Sequence, residues 1–241
     1  MKHPILWAAA LAAAIAAPAT LQAQVINTVG GEAFGASVNT PTAKQDKAAL
    51  ATLVPDSGLA EASLLSLSVA AIGNPIPGGT VGTLGFISPT LGTTTTALTT
   101  NELDASSSGA VGENASSAQG SANVANVNIL QGVVTAEQVT ALVSSASNGV
   151  RASSNSAGSG FLGLSVNGVF MGDVTPAPNT QIAVPGVGVV ILNEQIPSGD
   201  GIHTSGLQVN MIHVVLKDAV TGATTGDIIV GSAKSSVGFA R

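Results

Sequence analysis

Apolar and polar residues alternate with a period of two from Val25 onward, and helical periodicity is nearly absent. Such alternation is typical of strands that bury one face. In residues 63–69, for example, Leu65, Leu67 and Val69 fall on one face and the serines on the other. We therefore expect an all-β chain.

Turn-forming dipeptides divide this alternation into hairpins. The Asn-Gly dipeptides at 148–149 and 167–168 predict type I′ turns, in which both central residues need positive φ. A third hairpin is predicted near Thr221 and Gly222, because strand patterns lie on both sides. Without interposed helices, the pattern favours an antiparallel sandwich with long hairpins, with an open barrel or a β-solenoid as alternatives to it.

Four further segments have predicted roles in this architecture. Residues 93–100 read as a threonine-rich strand, and residues 74–79 as a breaker cluster of Pro and Gly. The small residues of 102–120 form either a mobile linker or a strand, and we favour the strand. Residues 135–139 allow one helical turn, but their β-branched residues favour a strand.

Residues 1–23 predict a cleavable export signal. One lysine precedes an apolar run from Ile5 to Ala17, Pro18 ends that run, and Ala23 supplies a small residue at the cleavage position. The run is mostly alanine and shorter than the ~20 residues of a spanning helix. We therefore expect a signal-peptide helix, then a single secreted β domain over 24–241, with a weak subdivision near 102–120 and no transmembrane segment.

The composition of the chain disfavours several kinds of binding partner and excludes some kinds of catalysis. The chain has no cysteine, which excludes disulfides and thiol catalysis. Seven basic residues face thirteen acidic ones, which disfavours nucleic acid and anionic membrane surfaces, since both attract clustered Lys and Arg. With Trp7 inside the predicted signal and no tyrosine, carbohydrate stacking is disfavoured as well.

Candidate chemistry is sparse. His203 lies three residues after Asp200 in a glycine-rich loop, and a triad with Ser198 or Ser205 would make a hydrolase, but no nucleophile-elbow motif supports it. His213 follows an apolar alternation and reads as a histidine at the edge of the core. We expect no enzyme and assign no catalytic, cofactor or metal residues.

Ligand motifs are equally weak. Residues 158–163 match G-x-G-x-x-G, but an alternating strand follows where a dinucleotide site needs a helix. Isolated Asp173, Asp200 and Asp218 lack calcium-loop spacing, so a single Ca²⁺ gathered from distant loops is the one metal left open. The Asn114 sequon reads as chance, and the threonine run at 93–96 as a solvated strand face rather than an ice-binding array.

Five segments follow one another through the chain: VNILQGVVTA (127–136), SGFLGLSVNG (159–168), PAPNT (176–180), LNEQ (192–195) and GDIIVGSA (226–233). In this pattern of strands and turns the chain resembles the choice-of-anchor P proteins of bacteria, best over 123–237. The resemblance implies a secreted or surface-displayed domain without established activity, and it offers no functional residues to match. Anchored members carry C-terminal sorting signals, which residues 235–241 lack, so we expect release or non-covalent retention; a periplasmic location stays open.

These observations favour a non-enzymatic extracellular structural or adhesive protein whose partners are itself or other surface and matrix components. Long strands with few guarding charges are prone to edge pairing, which makes assembly a specific form of this role. A binding module for a glycan or another surface protein is the alternative. A hydrolase that uses His203 and Asp200 is a weaker one.

Overall fold

The computed structural model describes residues 26–53, 57–72 and 94–240. The predicted signal peptide and the breaker cluster at 74–79 lie outside these residues. Two antiparallel sheets pack face to face and do not close, which confirms the predicted all-β sandwich. No helix in the described ranges is long and apolar enough to cross a membrane.

Strands are numbered along the chain. The first sheet has seven, and the short strands β2 and β3 share its far edge beside β1. Its spatial order is β13 (Thr180–Val184), β14 (Gly188–Ser198), β15 (Thr204–Lys217), β16 (Thr224–Ala240), β1 (Ile26–Asn39), then β2 (Lys44–Ala48) and β3 (Ala51–Thr52).

The second sheet is built on two long central strands, β8 and β9, each of which changes neighbour along its length. From one edge to the other its strands are β12 (Val169–Val174), β11 (Gly160–Val166) with β10 (Ala152–Asn155), β9 (Val134–Ser147), β8 (Ser116–Ile129), β7 (Leu103–Val111) with β6 (Thr94–Thr100), and β4 (Gly58–Leu64) with β5 (Leu67–Ile72). The segment 102–120 therefore lies mainly in strands, and 135–139 lies within β9, as we favoured.

The hairpins agree with the sequence in place and differ in one detail. Asn167 and Gly168 have φ of 50° and 77° and join β11 to β12, which confirms a type I′ turn. At the first Asn-Gly dipeptide only Gly149 has positive φ, so the predicted turn type is wrong there. The Asn148 carboxamide instead accepts the amides of Val150 and Arg151, which stabilises a longer loop.

The predicted strand over 63–69 is interrupted. Leu65 lies at a bend between β4 and β5, and it is 87% exposed instead of sharing a buried face with Val69. The bend begins a new strand with its own pairing partner, since β4 pairs with β7 and β5 with β6. Alternation alone does not reveal such a change of partner.

A row of backbone kinks crosses both sheets. In the first sheet Asn193 and Gly231 adopt left-handed φ of 51° and 67°, at corresponding positions on either side of Met211. In the second, Asn126 and Gly163 do the same with φ of 51° and 61°. An isolated left-handed residue reverses which face the following side chains occupy, whereas regular strands alternate without interruption.

The core differs between the two ends of the sandwich. At one end it contains large side chains, all fully buried: Leu98, Leu103, Ile129, Leu164, Leu192, Met211, Ile212, Leu216 and Ile228. At the other end Gly, Ala and Ser occupy most facing positions, and Val29, Leu53 and Val237 are the larger buried side chains there. A Cβ added to Gly120 of β8 would lie 2.8 Å from the carbonyl oxygen of Lys234 on the opposite sheet. The small residues therefore bring the two sheets close together.

Candidate functional site

The loop between β14 and β15 contains the predicted Asp200 and His203. One carboxylate oxygen of Asp200, Oδ1, accepts the backbone N–H groups of Ile202 (2.9 Å), His203 (2.8 Å) and Thr204 (2.8 Å). These bonds, led by the one from Thr204, hold the pKa of Asp200 well below its usual range, because they stabilise the ionised carboxylate. Asp200 therefore organises the loop.

The structure brings His203 to Asp200 but not to a serine. His203 Nδ1 lies 3.1 Å from Asp200 Oδ2, and the half-exposed imidazole packs at a tilt against the ring of Phe239, 5.5 Å between centroids. The hydroxyl of Ser205 is buried and hydrogen-bonds to Ser154 instead, at 2.8 Å. The imagined Ser-His-Asp geometry is thus not assembled among the described residues.

Ser205 belongs to a chain of four hydroxyls that links the two sheets. From Ser205 the chain runs through Ser154 to Ser145 and on to Ser235, with Oγ to Oγ distances of 2.8, 2.7 and 2.7 Å. Ser145 and Ser235 are buried and ninety residues apart in sequence. This chain satisfies hydroxyls at the narrow end of the core, so its chemistry is structural. No local sequence pattern marks it.

His213 lies on the outer face of the first sheet. Its Nδ1 is 3.0 Å from Glu194 Oε2, and the same carboxylate oxygen accepts Asn210 Nδ2 at 2.7 Å. The reading of His213 as a histidine at the core edge is therefore wrong. The alternation of β15 changes phase between Met211 and Ile212, beside the left-handed Asn193 and Gly231 of the neighbouring strands, so the buried positions that follow are Ile212 and Val214.

An open cleft of about 780 Å³ lies where β9, β11 and β14 meet two loops. Its described lining contains no Asp, Glu, His, Lys or Arg. Ser159 stands in the gap between β10 and β11, where its hydroxyl both accepts the N–H of Leu142 and donates to the carbonyl of Leu142, each at 2.9 Å. It thereby replaces a missing strand partner.

An amide network forms one wall of this cleft. Asn193 Nδ2 donates to the carbonyl of Pro176 at 2.8 Å, and Gln195 Nε2 donates to Ser156 Oγ at 2.8 Å. The G-x-G-x-x-G segment at 158–163 lies beside it and leads into strand β11, so the helix of a dinucleotide site is missing from these residues. The cleft is suited to neutral, hydrogen-bonding groups.

The outer face of the second sheet is a broad surface on which most side chains are neutral and polar, with Asp104 as the carboxylate among the positions named below. Adjacent residues hydrogen-bond across strands: Ser106 Oγ with Ser121 Oγ at 2.9 Å, and Thr140 Oγ1 to Asn123 Oδ1 at 3.0 Å. The outward positions of β7, β8 and β9 at this face are Asp104, Ser106, Ser108, Ser117, Gln119, Ser121, Asn123, Thr140, Leu142, Ser144 and Ala146. We call this set the hydroxyl face.

Three of the four sheet edges are protected against pairing with another chain. At the first sheet, β13 is five residues long, and β2 carries Lys44 and Lys47. At the second sheet, β12 is interrupted by register shifts opposite β11, and Gly172 has a φ of 79°. Short strands, lysines and bulges are the usual devices that block edge pairing.

The fourth edge, residues 58–72 of β4 and β5, lacks these devices. Its single charged residue is Glu61, and it contains no proline. Strand β4 pairs with β7 over seven consecutive residues without a bulge, and with no other strand among those described. Leu59 and Leu65 are 65% and 87% exposed here. We call this segment the open edge.

Metal ligands are not gathered in the described part of the chain, where no group of three or more His, Asp or Glu lies together. A shallow groove of about 380 Å³ beside the open edge contains Glu61 and Asp104. No family model, curated protein or solved structure matches this chain.

Proposed function

We propose that the protein is a non-enzymatic extracellular structural or adhesive component that acts through its β surfaces and associates with itself. The open edge carries this proposal. On the side away from β7, β4 pairs with no other strand among the described residues, so its backbone N–H and C=O groups there form a template for a further strand. Exposed leucines add apolar area that pairing would remove from water.

The arrangement of the reactive side chains supports the same proposal. The Asp200 carboxylate holds three backbone amides, and the Glu194 carboxylate holds Asn210 and His213. Groups engaged in this way contribute to loop and sheet geometry. The broad neutral hydroxyl face favours contact with another surface over binding of a small charged substrate.

The location outside the cytoplasm rests on the export signal predicted at residues 1–23. We further propose, from the resemblance to the choice-of-anchor P proteins, that the chain is a secreted or surface-displayed member of that group. Fractionation of producing cells, with antibody detection and N-terminal sequencing of the processed chain, tests both statements. Recovery of an unprocessed chain in the cytoplasm would contradict them.

Self-association is tested by the molar mass of the purified protein across a hundredfold range of concentration, measured by light scattering. We expect the mass to rise from monomer toward dimer and larger species, since edge pairing is a mass-action equilibrium. Leu59→Lys is the informative variant, because it adds a guarding charge to the open edge; Leu162→Lys, at an exposed leucine on β11, is its matched control. A strictly monomeric wild type at the highest concentration would refute the proposal.

A second candidate function, a module that binds a glycan or another surface protein, is favoured by the neutral cleft. Its amides and open volume suit an uncharged polar ligand. Binding to glycan and surface-protein arrays, compared between wild type and Gln195→Ala, tests it. A hit that survives this substitution unchanged would place the binding surface elsewhere.

A further inference from the structure

We propose that two copies of this chain pair through antiparallel β4 strands around a two-fold axis at Ala62. The pairing would extend the second sheet continuously from one copy into the other. This inference rests on the proposed self-association and adds the partner, the strand and the register. It follows from the symmetry of edge pairing together with the residues of β4.

Symmetry restricts the possible registers. Closed dimers use the same surface on both copies, and an antiparallel edge pair has its two-fold axis perpendicular to the sheet. Such an axis keeps each face of the sheet on the same side in both copies. Because directly opposite residues share a face, each residue can be opposed only by one of the same parity. The axis must therefore lie midway between the two copies of one residue of β4, which is then opposite itself.

The position of Glu61 selects among these registers. An axis at Glu61 would set the two carboxylates directly opposite each other, which is destabilising. An axis at Ala60 or at Ser63 would set Glu61 against a leucine, Leu59 or Leu65 respectively. An axis at Ala62 is the remaining central choice.

With the axis at Ala62, Glu61 of each copy lies opposite Ser63 of the other. Extending the pairing by one residue past β4, to Leu65 at the bend, brings the two most exposed leucines of the open edge, Leu59 and Leu65, opposite each other at both ends of the pair. Leu64, which is 38% exposed, faces Ala60. This register removes apolar area from water without opposing like charges.

The pairing has a consequence for the hydroxyl face. Because the axis is perpendicular to the sheet, the hydroxyl faces of both copies point in the same direction and form one surface of doubled area. Two linked faces bind a repetitive surface more tightly than two separate ones, since the second contact is intramolecular. The dimer would thus present an enlarged neutral polar surface to a matrix or cell wall.

The absence of native cysteines allows a direct cross-linking test. In the Ala62→Cys variant the two introduced residues lie opposite each other on the axis, at a Cα distance of roughly 4.5–5.5 Å, which suits a disulfide. In the matched Ser63→Cys variant they are displaced by two residues along the strands, roughly 8 Å apart and beyond disulfide reach. Ser63 is the more exposed of the two positions, so random collisions would favour the control.

Both variants are oxidised mildly and separated on non-reducing gels, with circular dichroism under reducing conditions as the folding control. We expect Ala62→Cys to become predominantly covalent dimer, while Ser63→Cys remains monomer. The double variant Ala60→Cys with Leu64→Cys, two β4 residues that oppose each other only between copies, provides a second readout if Ala62→Cys does not fold.

The outcomes separate this inference from the proposed function. Equal cross-linking of Ala62→Cys and Ser63→Cys, while light scattering still shows assembly, would overturn the register and leave self-association intact. A monomer in light scattering together with no cross-link at either position would overturn both.

Discussion

Gly120 of β8 marks the closest approach of the two sheets, and its substitution tests the packing at the narrow end. A Cβ at this position would meet the Lys234 carbonyl oxygen at 2.8 Å and the Glu32 carbonyl oxygen at 3.3 Å. Both atoms belong to backbone held in strand pairing between β1 and β16, so neither can rotate away. The added methyl group must therefore push the sheets apart.

Overpacking of this kind costs about 1–3 kcal/mol, and we expect Gly120→Ala to lower the free energy of unfolding by about 2 kcal/mol. Gly30→Ala is the control. Its Cβ would lie 2.9 Å from the hydroxyl of Ser236, a side chain that can turn aside, so we expect a change within about 0.5 kcal/mol.

Urea unfolding followed by far-ultraviolet circular dichroism measures both variants, since the only tryptophan, Trp7, lies in the predicted signal. A shifted midpoint with an unchanged slope reports stability alone. If Gly120→Ala were as stable as Gly30→Ala, the close approach of the sheets at this point would be refuted.

Three further predictions concern single positions. Ser159→Ala leaves both backbone groups of Leu142 without their partner, so we expect a loss of about 1–3 kcal/mol in urea unfolding, which Ser159→Thr should largely avoid. Gly168→Ala meets no neighbour but forces a side chain into a φ of 77°, and should cost about 1–2 kcal/mol in the same assay. Backbone amides, those of Thr204 and Thr221 first, lower the pKa of Asp200 and Asp218, so carbon NMR titration should find both below the ordinary ~3.9. In acid the native state then binds fewer protons than the unfolded state, so the two ionised carboxylates stabilise the native state. This contribution to the free energy of unfolding should be complete above the ordinary pKa and should decline as the pH falls below it. Ordinary pKa values for both residues would contradict the loop geometry.

The sequence predicted those features of the fold that depend on neighbouring residues, such as turns and the alternation of strands. The Asn-Gly dipeptide at 167–168 predicted its turn because few residues other than Asn and Gly tolerate two successive positive φ values. The strands alternate as expected between kinks. At Asn148 the same dipeptide gave a different turn, because the side chain found backbone donors of its own.

The phase of alternation was not predictable from a single strand. Asn193 and Gly231 lie on the two strands that flank β15, on either side of Met211. The change of phase at this point puts His213 on the face opposite to the one that alternation along β15 alone predicts. One signal was present in the sequence: the consecutive apolar residues Met211 and Ile212 interrupt the period of two, and both are fully buried. A phase change at that point would have placed His213 correctly.

Contacts between the two sheets were even less predictable from the sequence. Ser145 and Ser235 are ninety residues apart and meet only because the two sheets pack face to face. In the sequence both are ordinary residues of serine-rich strands. The open edge, in contrast, was partly foreseeable, since the scarcity of charge is a property of composition, whereas its position at a sheet border depends on the topology.

We propose that this protein works by pairing its open edge with a second copy. Substitution of Ser63 by residues of opposite charge tests this pairing most directly. In the inferred register residue 63 faces Glu61 of the other copy twice. With roughly 0.5 kcal/mol for each cross-strand charge pair, Ser63→Lys should strengthen dimerisation about fivefold and Ser63→Glu should weaken it about fivefold. Sedimentation equilibrium gives the dissociation constants, and unfolding curves control for the neighbouring Asp104 within the monomer. Dissociation constants that move in the same direction for both variants, or do not move, would contradict the account.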